Sequence, residues 1–306
     1  MRWYLKSAGY KVLSALPGGE SLYRFAQNNI TKTSYATRGR VEQKVEVGLK
    51  YWNWLQANGY AEKLRAGTLL DFGAGWHPTI PLLFHALGVK RQFLLDLTPW
   101  FQVDSMRETV RILREVISAP GFPAQAEVHR LPEWPQDAAD IATALQSWGI
   151  SYYAPYATRL GTLAGQADVA FSTQVLLYIS PEGLRSCFAA LKQCLKPGGI
   201  FMGTIYLMDL YAHSDPRITA YNHLKFSNEF WGRWVNSAIM PYNRLKARDY
   251  LELLQQSGFR VRHQHVDPPT PEDYAALDSV AVHPAFQRYS RDELVAKNLF
   301  FAAERV

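Results

Sequence analysis

The residues best equipped for chemistry lie in Leu69-Leu70-Asp71-Phe72-Gly73-Ala74-Gly75-Trp76-His77-Pro78. A short apolar run ends in an acid and a Gly-x-Gly turn, and a helical pattern follows. Glycine permits left-handed dihedrals and lets a ligand come close to the backbone. Open parallel sheets bind ligands at such turns, beyond the carboxyl ends of their strands. Asp96 ends the next apolar run, 21 residues after Gly75. An acid there can accept both hydroxyls of a ribose. The dinucleotide fingerprint would need a third glycine near His77 or Pro78, and none stands there. Pro78 also brings no N–H to a pyrophosphate. The expected ligand is therefore a nucleoside without phosphates. Gly-x-Gly alone can be a plain structural turn; the strand before it, the helix after it and Asp96 favour the ligand.

Strands and helices must hold these groups in place. Residues 68–72, 91–97, 150–154, 167–177 and 200–207 read as strands. Helical patterns cover 81–87, 103–117, 138–148 and 181–195, the last opened by Ser180 as N-cap and Pro181 at the first helical position. The stretch 120–135 is irregular, with four prolines, and Lys196-Pro197-Gly198-Gly199 reads as a turn. Continuous apolar strands alternating with helices predict a doubly wound, mostly parallel α/β sheet. After the alternation comes 209–244, rich in Tyr, Trp, His and Asn, then a helix at 247–257 and strands at 259–266 and 298–304. Ahead of it, 1–66 reads as helices over 3–16, 20–28 and 40–57.

Several segments resemble one family. Asp71-Phe72-Gly73-Ala74-Gly75 is similar to motif I of class I S-adenosylmethionine-dependent methyltransferases, and Asp96 to their ribose-binding acid. Residues 167–179 resemble the fourth-strand motif, and Leu195-Lys196-Pro197-Gly198-Gly199-Ile200-Phe201 the turn before strand five. Helix 247–257 with Gly258-Phe259 resembles the pattern before the last two strands. The resemblance covers 67–306. It implies a seven-stranded Rossmann-like methyltransferase sheet binding S-adenosyl-L-methionine. Asp71, Gly73 and Gly75 would hold the methionine end, Asp96 the ribose, and Leu97 or Thr98 would lie beside the adenine. Thr173 and Gln174, at the end of strand four, join the cofactor set. Trp76-His77-Pro78 depart from the family pattern, and the segment 153–158 stands where the third-strand acid would be. The domains implied are a helical extension, 1–66, and a catalytic domain, 67–306, with insertions near 119–148 and 209–244.

Methyl transfer from a sulfonium is an in-line displacement, so positioning can supply much of the acceleration. A base is needed only for an acceptor proton of high pKa. Candidate catalytic residues are Tyr178 after strand four, and Tyr206 and His213 around strand five. Candidate substrate residues are Tyr35, Tyr211, Asn222 and Arg244. Each also has an ordinary reading, as a capping aromatic, a backbone-bonded histidine or a surface arginine. The aromatic run 221–234 either closes the site around a cationic or planar group or simply covers the sheet. Attack at other carbons of the sulfonium, giving cyclisation or aminocarboxypropyl transfer, is a second reading. An RNA methyltransferase and a non-catalytic binding module are further ones.

Composition narrows the classes. Hydrophobic residues make up 48% and charged residues 20%, which excludes wholesale disorder. Two cysteines exclude a disulfide scaffold and a cysteine-built zinc site, and no His/Asp/Glu spacing points to a metal. No run is long enough to span a membrane and no secretory signal is clear, so a cytoplasmic location is expected. The net charge of +6 raises the prior for nucleic acid. Its distribution lowers it again: residues 1–66 hold 11 Lys+Arg and 4 Asp+Glu, a net of +7, and 67–306 hold 22 and 23, a net of −1. The expected partner is a small-molecule substrate, with nucleic acid disfavoured. Residues 1–66 either cover the cleft, through Tyr35, Arg38, Arg40 and Lys44, or contact a membrane surface. The oligomeric state stays open.

Overall fold

Strand β1 (Thr68–Phe72) is buried along its whole length, as its apolar run demands. In the computed structural model, which describes residues 1–27, 35–124, 127–129, 131–135, 140–156 and 159–306, it is the third strand of a seven-stranded sheet. The others are β2 (Arg91–Leu95), β3 (Ile150–Tyr153), β4 (Ala167–Thr173), β5 (Leu195–Tyr206), β6 (Phe259–Val266) and β7 (Asn298–Arg305). Their order is β3-β2-β1-β4-β5-β7-β6. β1 pairs in parallel with β2 (Leu70 opposite Phe93) and with β4 (Leu70 opposite Ala170), and β2 pairs in parallel with β3. The change of direction in strand order beside β1 opens a crevice at the carboxyl ends of β1 and β4, which is where the glycine turn lies.

Helices α1 (Trp3–Ala15), α2 (Gly19–Phe25), α3 (Arg38–Ala57) and α4 (Ala61–Arg65) precede the sheet. α5 (Thr79–Ala86), α6 (Val103–Ser118), α7 (Ile141–Ser147) and α8 (Pro181–Cys194) alternate with its strands. After β5 come α9 (Asn228–Phe230), α10 (Ala247–Gln256), α11 (Pro271–Asp278) and α12 (Arg291–Val295). Asn28 of the expected second helix, Ala138 and Ala139 of the expected 138–148 helix, and Ala157 and Thr158 lie outside the described residues. Parts of the 120–135 stretch do too.

Two expectations need correction. The turn expected at Lys196-Pro197-Gly198-Gly199 lies inside the first part of β5 rather than before the strand. Within that strand Gly198 still takes the left-handed φ of +71° that a turn calls for, and the Lys196 ammonium lies 2.6 Å from the buried Asp168 carboxylate, which also accepts the Thr68 N–H. Strand four stops at Thr173 rather than Leu177, because Gln174 takes a left-handed φ of +57° and a 3₁₀ turn, Leu176–Tyr178, follows.

The chain divides into two compact units. One comprises Thr33–Ser172, Ala190–Met202 and Glu304–Val306. Its core joins Trp52 and Tyr51 of α3 to Phe84 of α5 and Phe171 of β4, with ring centroids 5.4–5.7 Å apart. Gly48 lets α3 lie close on α5, since a Cβ there would stand 2.8 Å from Leu83. Residues 38–57 are thus built into this unit by burial. The other unit comprises Met1–Lys32, Thr173–Ala189 and Gly203–Ala303. Its core gathers Tyr221 and Leu224 with Leu277, Phe286, Tyr289, Leu294 and Val295.

Candidate functional site

β1 delivers Asp71, buried, to the edge of the glycine turn. Gly73 leaves the strand at φ +88°, and the N–H groups of Gly73 and Ala74 both reach the Leu95 carbonyl, at 2.8 and 3.1 Å. The turn is thereby tied to the end of β2. Gly75 has φ +64°, and a Cβ there would meet nothing nearer than the Gly73 carbonyl at 3.9 Å. The turn therefore needs glycine for its dihedral, while the space above it is open.

Asp96 follows β2 and is 8% exposed. One carboxylate oxygen accepts the Gly75 N–H at 2.8 Å and the other the Thr98 N–H at 3.1 Å. Burial raises its pKa, and the N–H groups of Gly75, Thr98 and Leu97 oppose the rise. Leu97, next in sequence, is 68% exposed and offers an uncovered apolar face. Trp76 and Trp100 pack ring on ring, with centroids 4.1 Å apart. His77 is buried; its Nδ1 lies 3.1 Å from the Ser105 hydroxyl, and burial, then Lys44 and Arg40, push its pKa down to about 3. It is a neutral packing group.

Lys44 is the cation of this unit's site. It comes from α3, and its ammonium donates to the His77 carbonyl at 3.0 Å. Burial lowers its pKa, while the charges of Asp71 and Asp96 hold it up. Asp71 feels the reverse: burial raises its carboxyl, Lys44 pulls it down and Asp96 adds to the rise. Two acids and one lysine thus share the floor of the turn. The sequence expectation had Lys44 only as a residue reaching over a cleft. The signal that would have paired it with Asp71 is tertiary. Tyr35 lies just ahead of α3, partly buried, with its carbonyl accepting from Arg40 at 2.8 Å.

This donor set suits S-adenosylmethionine. There is room over Gly75, a buried carboxylate against its N–H, an exposed leucine next to that carboxylate, and two acids and a lysine that perturb one another.

The remaining candidates lie in the other unit. Gln174, in its left-handed conformation, donates its N–H to the Thr204 carbonyl at 2.9 Å and accepts the Tyr206 N–H on its side chain at 2.6 Å. Such a dihedral on a residue with a Cβ costs about 1 kcal/mol or more and gathers at functional sites. Thr173 immediately precedes it. Tyr206 ends β5, its ring 6.1 Å from that of the exposed His213. Tyr178 is 38% exposed. The loop that carries it is pinned by Asn243, whose side chain donates to the carbonyls of Leu176 and Ile179 at 2.9 and 2.7 Å.

Three of the expected substrate residues are buried. Tyr211 packs its ring near Trp3 and Trp231. Asn222 donates to Asp209 at 3.2 Å. Asp209, which accepts the Tyr211 N–H as well, has its pKa raised to about 6 by burial. Arg244 takes φ +58° and directs its guanidinium to the carbonyls of His223, Phe226 and Ser227 and to the Asn228 side chain, at 2.6–3.0 Å. It also lies 4.8 Å from the Trp231 ring centroid and 5.0 Å from that of Phe286. Arg244 is the clasp of the aromatic insertion. A cavity of about 670 Å³ lies in this unit, walled by Tyr178, Trp231, Tyr242, Arg244, Phe286 and Tyr289. Of the candidates, Tyr178 and Arg244 line it; Tyr206, Tyr211, His213 and Asn222 do not.

The sequence reading passed over Lys246, which is fully buried with its ammonium 3.2 Å from the carbonyls of Leu207 and Leu294 and 3.5 Å from His223 Nε2. Burial lowers its pKa to about 7.

No protein-family model matches the sequence, and no curated protein matches it. Among solved structures it is similar to an S-adenosylmethionine-dependent methyltransferase from Methanosarcina mazei, at 12% identity over 78% of this chain and 92% of that one, with a TM-score of 0.42. It is also similar to one from Mesorhizobium loti, at 20% identity over 81% and 99% with a TM-score of 0.39. A third is the geranyl diphosphate C-methyltransferase of Streptomyces coelicolor A3(2), at 11% identity over 81% and 77% with a TM-score of 0.40. With TM-scores below 0.5 these likenesses carry no argument about this chain. The order of its seven strands gives this chain the Rossmann-like methyltransferase fold.

Proposed function

We propose that the chain is an S-adenosylmethionine-dependent methyltransferase acting on a small molecule. The observation that carries this is the junction of Gly75 and Asp96: open space over a left-handed glycine, with the carboxylate of the next strand 2.8 Å from its N–H. When bound, S-adenosylmethionine supplies an electrophilic methyl group on a sulfonium. In this reading Asp96 would hold the ribose hydroxyls. Gly73 and Gly75 keep the backbone low enough for close approach. Asp71 and Lys44 would hold the amino-acid end, and Leu97 would lie beside the adenine. Thr173 and Gln174 shape the end of strand four.

A small-molecule acceptor is supported by the 670 Å³ cavity, which falls in the size range of metabolite sites. Its aromatic walls suit a planar or apolar group. Tyr178 is the wall residue we assign to acceptor contact. Tyr206 and His213, with ring centroids 6.1 Å apart, are retained as the catalytic candidates around strand five. The near-neutral balance of residues 67–306 favours a metabolite over RNA as acceptor.

The test is product identification by mass spectrometry after incubation of the protein with S-adenosylmethionine and fractionated metabolite pools. S-adenosylhomocysteine with a product 14 mass units heavier is the expected pair, one methyl replacing one hydrogen, about 14 Da. Methylthioadenosine instead would assign the chain to attack at another carbon of the sulfonium.

A further inference from the structure

Helix α1 leaves an apolar strip uncovered on its unit. The residue it buries is Ser7, whose hydroxyl donates to the Val235 carbonyl at 3.2 Å. Ser14 accepts the Ile239 N–H at 3.2 Å, the Trp3 N–H meets the Asp215 carboxylate at 2.9 Å, and the Lys11 ammonium donates to the Arg233 carbonyl. Beside these polar contacts, Trp3 packs its ring near Tyr211 and Phe226, and Tyr10 packs edge-on to Tyr23. A second apolar strip faces outward: Leu5 is 57% exposed, Val12 61% and Leu16, at the C-cap, 50%. With Ala8 they fall within about 80° of one another at about 100° per residue, on the side away from Ser7 and Ser14. Tyr4 beside the stripe, Leu22 and Phe25 on α2, and Phe230 and Trp234 on the segment that α1 packs against are exposed as well.

We propose that this face is an interfacial anchor that lays the chain on an anionic lipid surface. An ordinary surface helix turns its apolar stripe to the core. One that turns it to solvent leaves a patch that a soluble monomer rarely keeps. Charge selects the occupant. Residues 1–27 carry Arg2, Lys6, Lys11 and Arg24 against one acid, Glu20. A second copy would bring the same positive charge to the contact and repel it. An anionic headgroup layer attracts that charge, while leucine, valine, phenylalanine and tryptophan side chains enter the acyl boundary. Among the described residues no helix is long and apolar enough to cross a membrane, so the helix lies in the interface plane.

The experiment is co-sedimentation of the full chain with vesicles of phosphatidylcholine containing roughly one-third phosphatidylglycerol, and with phosphatidylcholine alone. The expected result is pelleting with the anionic vesicles, little with the neutral ones, and weakening as salt rises. Leu5→Asp combined with Val12→Asp should reduce partitioning about tenfold or more. Both side chains are exposed, so the circular dichroism spectrum and the thermal midpoint should stay as in the parent chain. Absence of pelleting, or equal pelleting of parent and double variant, overturns the proposal. So does a concentration-dependent dimer, seen by light scattering, that the double variant abolishes without any vesicle binding; that result would assign the face to a second copy.

Discussion

Gly75→Ala separates the cost of the turn to the fold from its value to the ligand. In the protein alone a Cβ at position 75 meets only the Gly73 carbonyl, at 3.9 Å, which is ordinary contact. The penalty to folding is then the left-handed φ of +64° imposed on alanine, about 1–2 kcal/mol. In a domain of roughly 150–250 residues each kcal/mol moves Tm by about 2–4 °C, so the fall should not exceed about 8 °C. Binding should suffer more. The methyl group projects into the open space over the turn, where a nucleoside must lie against the backbone. Displacing the ligand by even part of a methyl radius costs several polar contacts, each worth about 0.5–1.5 kcal/mol, so affinity for S-adenosylmethionine should fall about tenfold to a hundredfold. Scanning calorimetry and isothermal titration on the same preparation read both quantities. Unchanged affinity in a folded Gly75→Ala protein would refute the claim that ligand approaches this turn. A fall in Tm well beyond 8 °C would refute the claim that the space is open.

Other substitutions test the surrounding structure. Arg244→Lys should destabilise the protein by about 2–4 kcal/mol in urea denaturation, because a lysine cannot serve four divergent acceptors or stack on Trp231 and Phe286; a change within 0.5 kcal/mol would show that the clasp is dispensable. His77 stays neutral in the fold down to about pH 3 but takes a proton near 6.5 once unfolded. Between those values the unfolded chain binds more protons, so this histidine's contribution to stability is lost as pH falls below 6.5. The parent chain should therefore lose about 1.4 kcal/mol more per pH unit than His77→Gln between pH 6 and 4.5, measured by denaturation at each pH; parallel curves would contradict the buried, neutral assignment.

The glycine turn could be read from sequence because its causes are local. A buried run, an acid and two glycines at strand-end spacing dictate a left-handed turn wherever the chain is placed, and Gly73 and Gly75 both have positive φ. The sheet could be read for a similar reason, since continuous apolar strands and amphipathic helices alternate along the chain. The turn at Lys196-Pro197-Gly198-Gly199 was legible, since Gly198 takes a φ of +71°, but its place inside β5 was not. Gln174 ends strand four through a dihedral that its residue type does not announce. The role of Arg244 depends on carbonyls 17–21 residues earlier, which become neighbours only when the insertion folds. The outward stripe of α1 was visible as helical spacing, but no periodicity says which face meets the protein. Among the helices the sequence did not announce, α11 and α12 carried a signal: Thr270 with Asp273 and Ser290 with Glu293 form capping boxes at their starts.

The most direct test of the central claim is isothermal titration of S-adenosylmethionine into the parent chain and into Asp96→Ala. The account predicts one site per chain in the parent. It predicts a loss of about a hundredfold or more in the variant, from removing a carboxylate that would hold two ribose hydroxyls through charge-assisted hydrogen bonds worth about 1.5–3 kcal/mol each. No binding to the parent chain, or equal affinity in Asp96→Ala, would contradict it.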